Sequence, residues 1–365
     1  MANLIIKPAT GDGNKLILQD KAGGAVLTTA DSGATVANAT ITAPIIDTIK
    51  HTPGSAPGSP AIGQQYYNTT DKVFYIWNGD QWVTSDLISK PKATGGIINT
   101  YLDWISHTFI TSGTFTPLVS LTVDYLIVAG GGGTPGSNST PSGGGGAGAY
   151  VETRSASMTA TAYTIVVGGG GTGGASTVNS KTAGGNSSIA GSGFSTVTMS
   201  GGGYGAFDNT AGGAGGSGGG GSYSGAGGAA SNRLYGANGG GGSTSPQGAG
   251  GGGGAADAFH AQKNPVANGL DGTGTTSASG NGGAGGIGKL NDYCNGAEKY
   301  YAGGGGGGGW SGAGRGGRGG GGNGGNPSLP GEKNTGGGGG GAGSAPVSTA
   351  GSAGGSGIVI IRYQK

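Results

Sequence analysis

One cysteine, Cys294, is all that the sequence contains, so a disulfide framework within the chain is excluded, and so is a cysteine cluster for zinc. Charge is scarce as well. Only 9% of residues are charged and the formal net charge is +2, which gives no electrostatic footprint for nucleic acid and no polybasic patch for a membrane surface. Hydrophobic residues make up 33% of the chain, too few for one large apolar core across 365 residues. No run approaches the ~20 apolar residues of a membrane helix, so no membrane insertion is expected. Leu4-Ile5-Ile6 is too short for a signal-peptide core, and export would need a route other than a cleaved secretory signal. His51, His107 and His260 stand singly, with no second histidine or carboxylate at ligand spacing. No nucleophile elbow frames any serine. The expectation is a non-enzymatic protein with no catalytic residue, no metal site and no cofactor.

What the chain has in excess is glycine. Of 97 glycines, twelve precede residue 130 and the rest follow Ala129. The glycine-rich stretch from Gly130 to Gly357 is bounded by two apolar runs, Val123-Asp124-Tyr125-Leu126-Ile127-Val128-Ala129 and Ile358-Val359-Ile360-Ile361-Arg362-Tyr363. Collagen is excluded, because glycine does not recur strictly at every third position and there are only 14 prolines. A flexible linker is the reading from composition alone. The other solution is a lattice of polyglycine II helices, which have three residues per turn and about 3.1 Å rise. Such helices make no internal hydrogen bonds, so their amides and carbonyls must find partners on neighbours that approach closely only where no Cβ intervenes. Bulky and turn-forming residues punctuate the stretch, among them Tyr204, Phe207, Tyr223, Pro246, Phe259, Tyr300, Tyr301, Trp310 and Asn326-Pro327. A pure linker has no need of them, and an ordered lattice is expected over about 201–357.

The rest of the chain reads as β-structure. Residues 1 to about 50 alternate short apolar runs with Gly/Asp/Asn turns, as in a set of small hairpins, and 37–46 reads as a further strand. A Pro/Gly/Ser spacer, 51–60, precedes three aromatic-rich strands with turns at Asn68–Asp71 and Asn78-Gly79-Asp80. Their rings, Tyr66, Tyr67, Tyr75, Trp77 and Trp82, suit a miniature core better than a carbohydrate platform, since small sheets need large side chains to bury enough area. Residues 97–105 fit a short helix or a strand equally. From His107 onward strands are expected at 107–115, 121–129, 149–154, 162–167 and 194–200, with 358–363 as a partner distant in sequence. The fold class is therefore all-β: N-terminal hairpins and a small meander, then a jelly-roll-like sandwich carrying a large polyglycine II insert. Three regions follow, at 1–50, 51–106 and 107–365.

Two stretches resemble known families. The meander "YNT…YIWNGDQWV", within residues 61–84, resembles a module of phage tail-fibre proteins that sits along a trimeric shaft. From His107 to Tyr363, the segments "HTFITSGTFT", "VDYLIVAGGGG", "GGGGAGAYVETRS", "YTIVVGGGG", "GGNSSIAG" and "GGSGIVIIRY" resemble a glycine-rich domain at the C-termini of phage and cyanophage tail-fibre or appendage proteins. They are also similar to the glycine-rich region of the anaplastic lymphoma kinase ectodomain, where a tumour-necrosis-factor-like sandwich frames a polyglycine II lattice. A related lattice occurs in tip adhesins of some T-even-like phages. The resemblance implies a virion fibre or adhesin, homotrimeric, attached to another virion structural protein through residues 1–50 and facing a host cell-surface receptor, glycan or outer-membrane protein. A structural capsid or neck decoration is the alternative.

Short motifs add little. Gly283–Leu290 nearly matches a phosphate-binding loop, but Leu290 stands where the magnesium-binding hydroxyl belongs. Gly314-Arg315-Gly316-Gly317-Arg318-Gly319-Gly320 has too few arginines for an RNA-binding repeat and reads as exposed arginines on a lattice turn, so no nucleic-acid partner is expected. Loops on a rigid scaffold are where binding residues concentrate. The least glycine-rich interruptions, 255–279 and 287–302, together with Trp310, therefore supply the candidate receptor-binding residues: Phe259, His260, Tyr293, Tyr300, Tyr301 and Trp310.

Overall fold

Every described element of the computed structural model is a β-strand. The structure describes residues 17–19, 25–30, 33–36, 56, 58–68, 70, 73–84, 91–137, 139–175, 180–244, 247–255, 280–344 and 349–365, with the backbone alone for 17–36 and 83–84. It divides into two compact units, Met1–Ile88 and Ser89–Lys365.

In the first unit β1 (Ile17–Gln19), β2 (Ala25–Ala30) and β3 (Gly33–Val36) form an antiparallel sheet in chain order. The strand expected over 37–46 lies outside the described residues. The meander is β4 (Gln65–Asn68), β5 (Val73–Trp77) and β6 (Trp82–Thr84). Its second turn uses both members of the Asn-Gly pair. Asn78 Oδ1 accepts from the N–H groups of Asp80 (3.0 Å) and Gln81 (2.8 Å), while Gly79 takes φ +105°, which glycine adopts freely.

The second unit opens with β7 (Ala93–Thr94), β8 (Ile97–Tyr101), β9 (Trp104–Phe109), β10 (Gly113–Pro117), β11 (Leu121–Val128), β12 (Tyr150–Met158), β13 (Tyr163–Val166), β14 (Ser187–Gly191) and β15 (Phe194–Met199). Two short hairpins, β16 (Ser243–Thr244) with β17 (Gln247–Gly248) and β18 (Lys289–Asn291) with β19 (Lys299–Tyr301), precede the closing strand β20 (Ile358–Gln364). Two five-stranded antiparallel sheets face each other, ordered β15-β14-β13-β10-β7 and β12-β11-β20-β9-β8. The sandwich core lies between them, with Phe115, Tyr163, Ile165 and Ile189 from one sheet against Ile105, Val123, Tyr125, Ile127, Val359, Ile361 and Tyr363 from the other.

Side chains alternate across a strand, so the uninterrupted apolar runs of β11 and β20 require cover on both faces. They have it. Leu126, Val128, Ile358 and Ile360 point away from the first core into a second one, completed by Tyr150, Tyr293, Tyr301 and the lattice alanines Ala147, Ala255 and Ala302.

Three expectations need correction, and one open choice is resolved. The sandwich takes in β7 and β8, ahead of the expected start at His107, because β7 pairs with β10 and β8 with β9. Of the two readings open for 97–105 the strand holds: β8 and β9 form a hairpin that turns at Leu102, where φ is +45°. The run 107–115 is two strands, which join different sheets. β14, which carries "SSIAG", was not anticipated as a strand, since its serines and small residues give it weak strand character. The expected strands at 121–129, 149–154, 162–167, 194–200 and 358–363 all form.

The glycine stretch is a hydrogen-bonded lattice with a period of three residues. The N–H groups of Gly130 and Gly133 donate to the carbonyls of Gly185 and Thr182 (both 3.0 Å); those of Gly131 and Thr134 donate to Gly355 and Ser352 (both 2.9 Å); that of Gly132 donates to Gly146 (2.8 Å). Each run thus meets the same neighbour every third residue, as three residues per turn demands. Both orientations occur. Gly282, Gly285 and Gly288 donate to Gly312, Arg315 and Arg318 on a parallel run, whereas Gly351, Gly354 and Gly357 donate to Gly174, Gly171 and Gly168 on an antiparallel one. Segments 130–134, 142–148 and 168–174 belong to the lattice, so it starts well before 201.

The lattice grows from one end of the sandwich. Val128 pairs with Tyr150 and Ile358, and Ser188 with Val166, so these strand ends share a level. Ser187 joins the sheets there: its hydroxyl donates to the Val128 carbonyl (2.9 Å) and accepts from the Gly168 N–H (2.9 Å). Strand and polyproline-II-type backbone occupy one broad φ/ψ region, so the chain passes from sheet to lattice without a turn.

Candidate functional site

Most glycines inside the lattice have no room for a side chain. A Cβ placed on Gly132 would fall on the carbonyl of Gly203, and one on Gly305 on the carbonyl of Gly339. The few interior hydroxyls satisfy themselves locally: Thr134 donates to the Gly340 carbonyl (2.8 Å), Ser217 to Gly254 (2.9 Å) and Ser222 to Pro141 (2.6 Å). Chemistry available to a partner therefore sits where a run reaches the surface, and there only one residue in three points outward.

The parallel runs 281–290 and 312–318 are such a surface. Gly282, Gly283, Gly285, Gly286 and Gly288 donate into the lattice, whereas no described carbonyl accepts from Ala284 or Ile287. The exposed positions on this run are Asn281, Ala284, Ile287 and Leu290, three residues apart. On its neighbour, Gly314 and Gly317 donate inward to Gly307 and Gly304, and Arg315 and Arg318 are exposed, again three apart. At about 3.1 Å per residue, the two arginine Cα atoms stand roughly 9 Å apart along one edge. Arg315 is on the extended run, whereas Arg318 opens the turn 318–320, so the turn expected for both arginines holds for Arg318 alone.

Two of the candidate residues flank this strip. Trp310, 56% exposed, donates its backbone N–H to the Gly280 carbonyl (2.8 Å) beside Asn281. Tyr300 lies at the other end, opposite Leu290 in the β18–β19 register, with the Arg318 guanidinium 5.8 Å from its ring centre. Two others are in the wrong place to meet a receptor. Tyr293 and Tyr301 are 1% and 2% exposed in the second core. The hairpin's two-residue period decides this, turning Tyr301 in and Tyr300 out. Phe259 and His260 lie outside the described residues.

The buried face of that hairpin carries a polar cluster. Glu152 accepts from the hydroxyls of Tyr293 (2.7 Å) and Tyr150 (3.1 Å), from Arg154 Nη2 (3.0 Å) and from Asn291 Nδ2 (3.3 Å). Burial pushes its carboxyl up, but these hydrogen bonds and the Arg154 charge outweigh burial and hold it below its ordinary value. Burial, then the same carboxylate, push the Tyr293 hydroxyl up. Lys289, whose Nζ is 5.2 Å from the Tyr150 ring centre, is pushed down to about 7 by burial, with the Glu152 charge opposing. Nearby, Arg362 lies between two rings, 4.3 Å from the centre of Trp104 and 3.7 Å from that of Tyr293. It bonds to Asp124 (3.2 Å), its cross-strand neighbour, and to Asp292 (3.0 Å). The cluster fastens the hairpin to the sheet. Among the described residues no group of three or more His, Cys, Asp or Glu side chains could hold a metal ion.

In the meander, Tyr66 stacks on Tyr75 at 5.2 Å and meets Trp82 edge-on at 4.7 Å, while Trp82 meets Trp77 at 5.5 Å. These half-buried rings pack chiefly on one another, which is how a three-stranded sheet makes a core of its own.

A family model described as a glycine-rich domain matches residues 110–364, more than two thirds of the chain. No curated protein matches the sequence.

Proposed function

Since the chain belongs to the glycine-rich domain family, we propose that it is a fibre or adhesin subunit of a virus particle, whose lattice displays side chains to a host-surface receptor. The observation that carries this reading is the division of labour within the glycine stretch. Interior glycines such as Gly132 and Gly305 leave no space for a Cβ, and side chains such as those of Arg315, Arg318, Ile287 and Trp310 stand on the outside. A rigid scaffold with sparse outward residues suits recognition better than catalysis or a flexible tether. In this proposal residues 1–50 attach to another virion protein, the meander module lies along a homotrimeric shaft, and the glycine-rich unit is the distal head.

The test is adsorption. Particles carrying a copy truncated after Ile88, the end of the first unit, should assemble and fail to adsorb to host cells. Normal adsorption by those particles would remove the adhesin role and favour a structural decoration.

A further inference from the structure

Resting on the adhesin reading, we propose that the strip formed by Arg315, Arg318, Ile287, Leu290, Tyr300 and Trp310 binds an acidic polysaccharide. Three features carry the assignment. Neither run of the strip contains a carboxylate from Gly280 to Leu290 or from Gly309 to Gly325, and among the described residues no ion pair occupies Arg315 or Arg318. Their guanidinia are therefore available for carboxylate or sulfate groups, which arginine recognises through paired N–H donors. The lattice sets the spacing. With both carbonyls accepting from Gly285 (2.8 Å) and Gly288 (2.7 Å), the two arginines cannot slide relative to each other, and they stand roughly 9 Å apart. That rule suits a polymer whose charges are well separated along its length.

Apolar surface supplies the third feature. Ile287 is 37% exposed and Leu290 41%; with Tyr300 and Trp310 they line the arginines with the flat, weakly polar contacts that sugar rings accept. Nucleic acid fits less well. A duplex presents a charge about every 1.7 Å of its axis, and two arginines release too few counterions to hold it. Single strands are gripped by successive aromatic platforms, and here the rings stand only at the two ends.

The experiment uses the full chain and immobilised polygalacturonate, with dextran as a neutral polymer and a single-stranded oligodeoxynucleotide as the competing polyanion. Binding to polygalacturonate should exceed binding to dextran and weaken as salt rises. The double variant R315Q/R318Q should lose affinity by at least about tenfold, as loss of hydrogen bonds to charged groups implies, with an unchanged melting temperature. R233Q, which removes one exposed charge from a loop elsewhere, should bind as the parent does. Trp310→Ala should weaken binding while leaving its salt dependence unaltered. Equal binding by parent and R315Q/R318Q would overturn the proposal. So would tighter arginine-dependent binding to the oligodeoxynucleotide, which would assign the strip to nucleic acid. Particles carrying R315Q/R318Q that still adsorb, while those truncated after Ile88 do not, would overturn the polysaccharide site and leave the adhesin reading standing.

Discussion

At the scale of single residues, the structure turns on where a Cβ can go. Gly132 is enclosed by the carbonyl of Gly203, while Gly169 has nothing within 4 Å of where its Cβ would lie. G132A is expected to cost about 3 kcal/mol or more, as over-packing against an immovable backbone does. G169A should change stability by less than about 1 kcal/mol and in the favourable direction, because it narrows the unfolded ensemble. Denaturant unfolding of the two variants measures both. Lys289 gives a pH signature. Its folded pKa, about 7, lies below the unfolded value, so between these values the unfolded state holds more protons and stability rises with pH. Below pH 7 its burial costs the most, with the Glu152 charge opposing. K289M should flatten the rise in melting temperature between pH 7 and 10 and melt higher than the parent at pH 6. The three-residue spacings Asn281–Ala284–Ile287–Leu290 and Arg315–Arg318 are visible in the sequence. Their meaning was not, because spacing alone does not say which third of a run faces solvent.

At the scale of elements, most strands were legible and their exceptions have physical causes. β11 and β20 announce themselves as continuous apolar runs because both faces are covered. β14 does not, since serine and alanine satisfy a strand already flanked by β13 and β15. The hairpin β18–β19 was legible as an interruption of the glycine pattern, but its two-residue period, which buries Tyr301 and leaves Tyr300 half-buried on the other face, only becomes readable once the sheet beneath it is known. Arg362 fastens that hairpin. It is 7% exposed and paired with Asp124, which is 8% exposed. R362M should destabilise the chain by about 3–5 kcal/mol, since it strands a buried carboxylate and removes a cation held between two rings. D124N should cost less, because Arg362 keeps Asp292 (3.0 Å) and the Tyr101 hydroxyl (3.5 Å). Thermal unfolding of both variants checks the order.

At the scale of the molecule, composition pointed to disorder and the hydrogen bonds point to a folded body. Glycine loses the most conformational freedom on ordering, so isolated runs could not hold. What holds them is mutual support: Gly145, for example, donates to Gly339 (2.8 Å) and accepts from Gly305 (2.9 Å), and the runs start from strand ends already fixed in the sandwich. The measurement that tests this most directly is residue-resolved amide hydrogen exchange on the native full chain. Gly132, Gly145, Gly252 and Gly305 should exchange as slowly as the amides of β11 and β20, while Ala284 and Ile287, whose N–H groups donate to no described carbonyl, exchange fast, so that protection along 281–290 drops at every third residue. Uniformly fast exchange across 130–357, at the rate of an unstructured chain, would contradict the lattice and the display surface that depends on it.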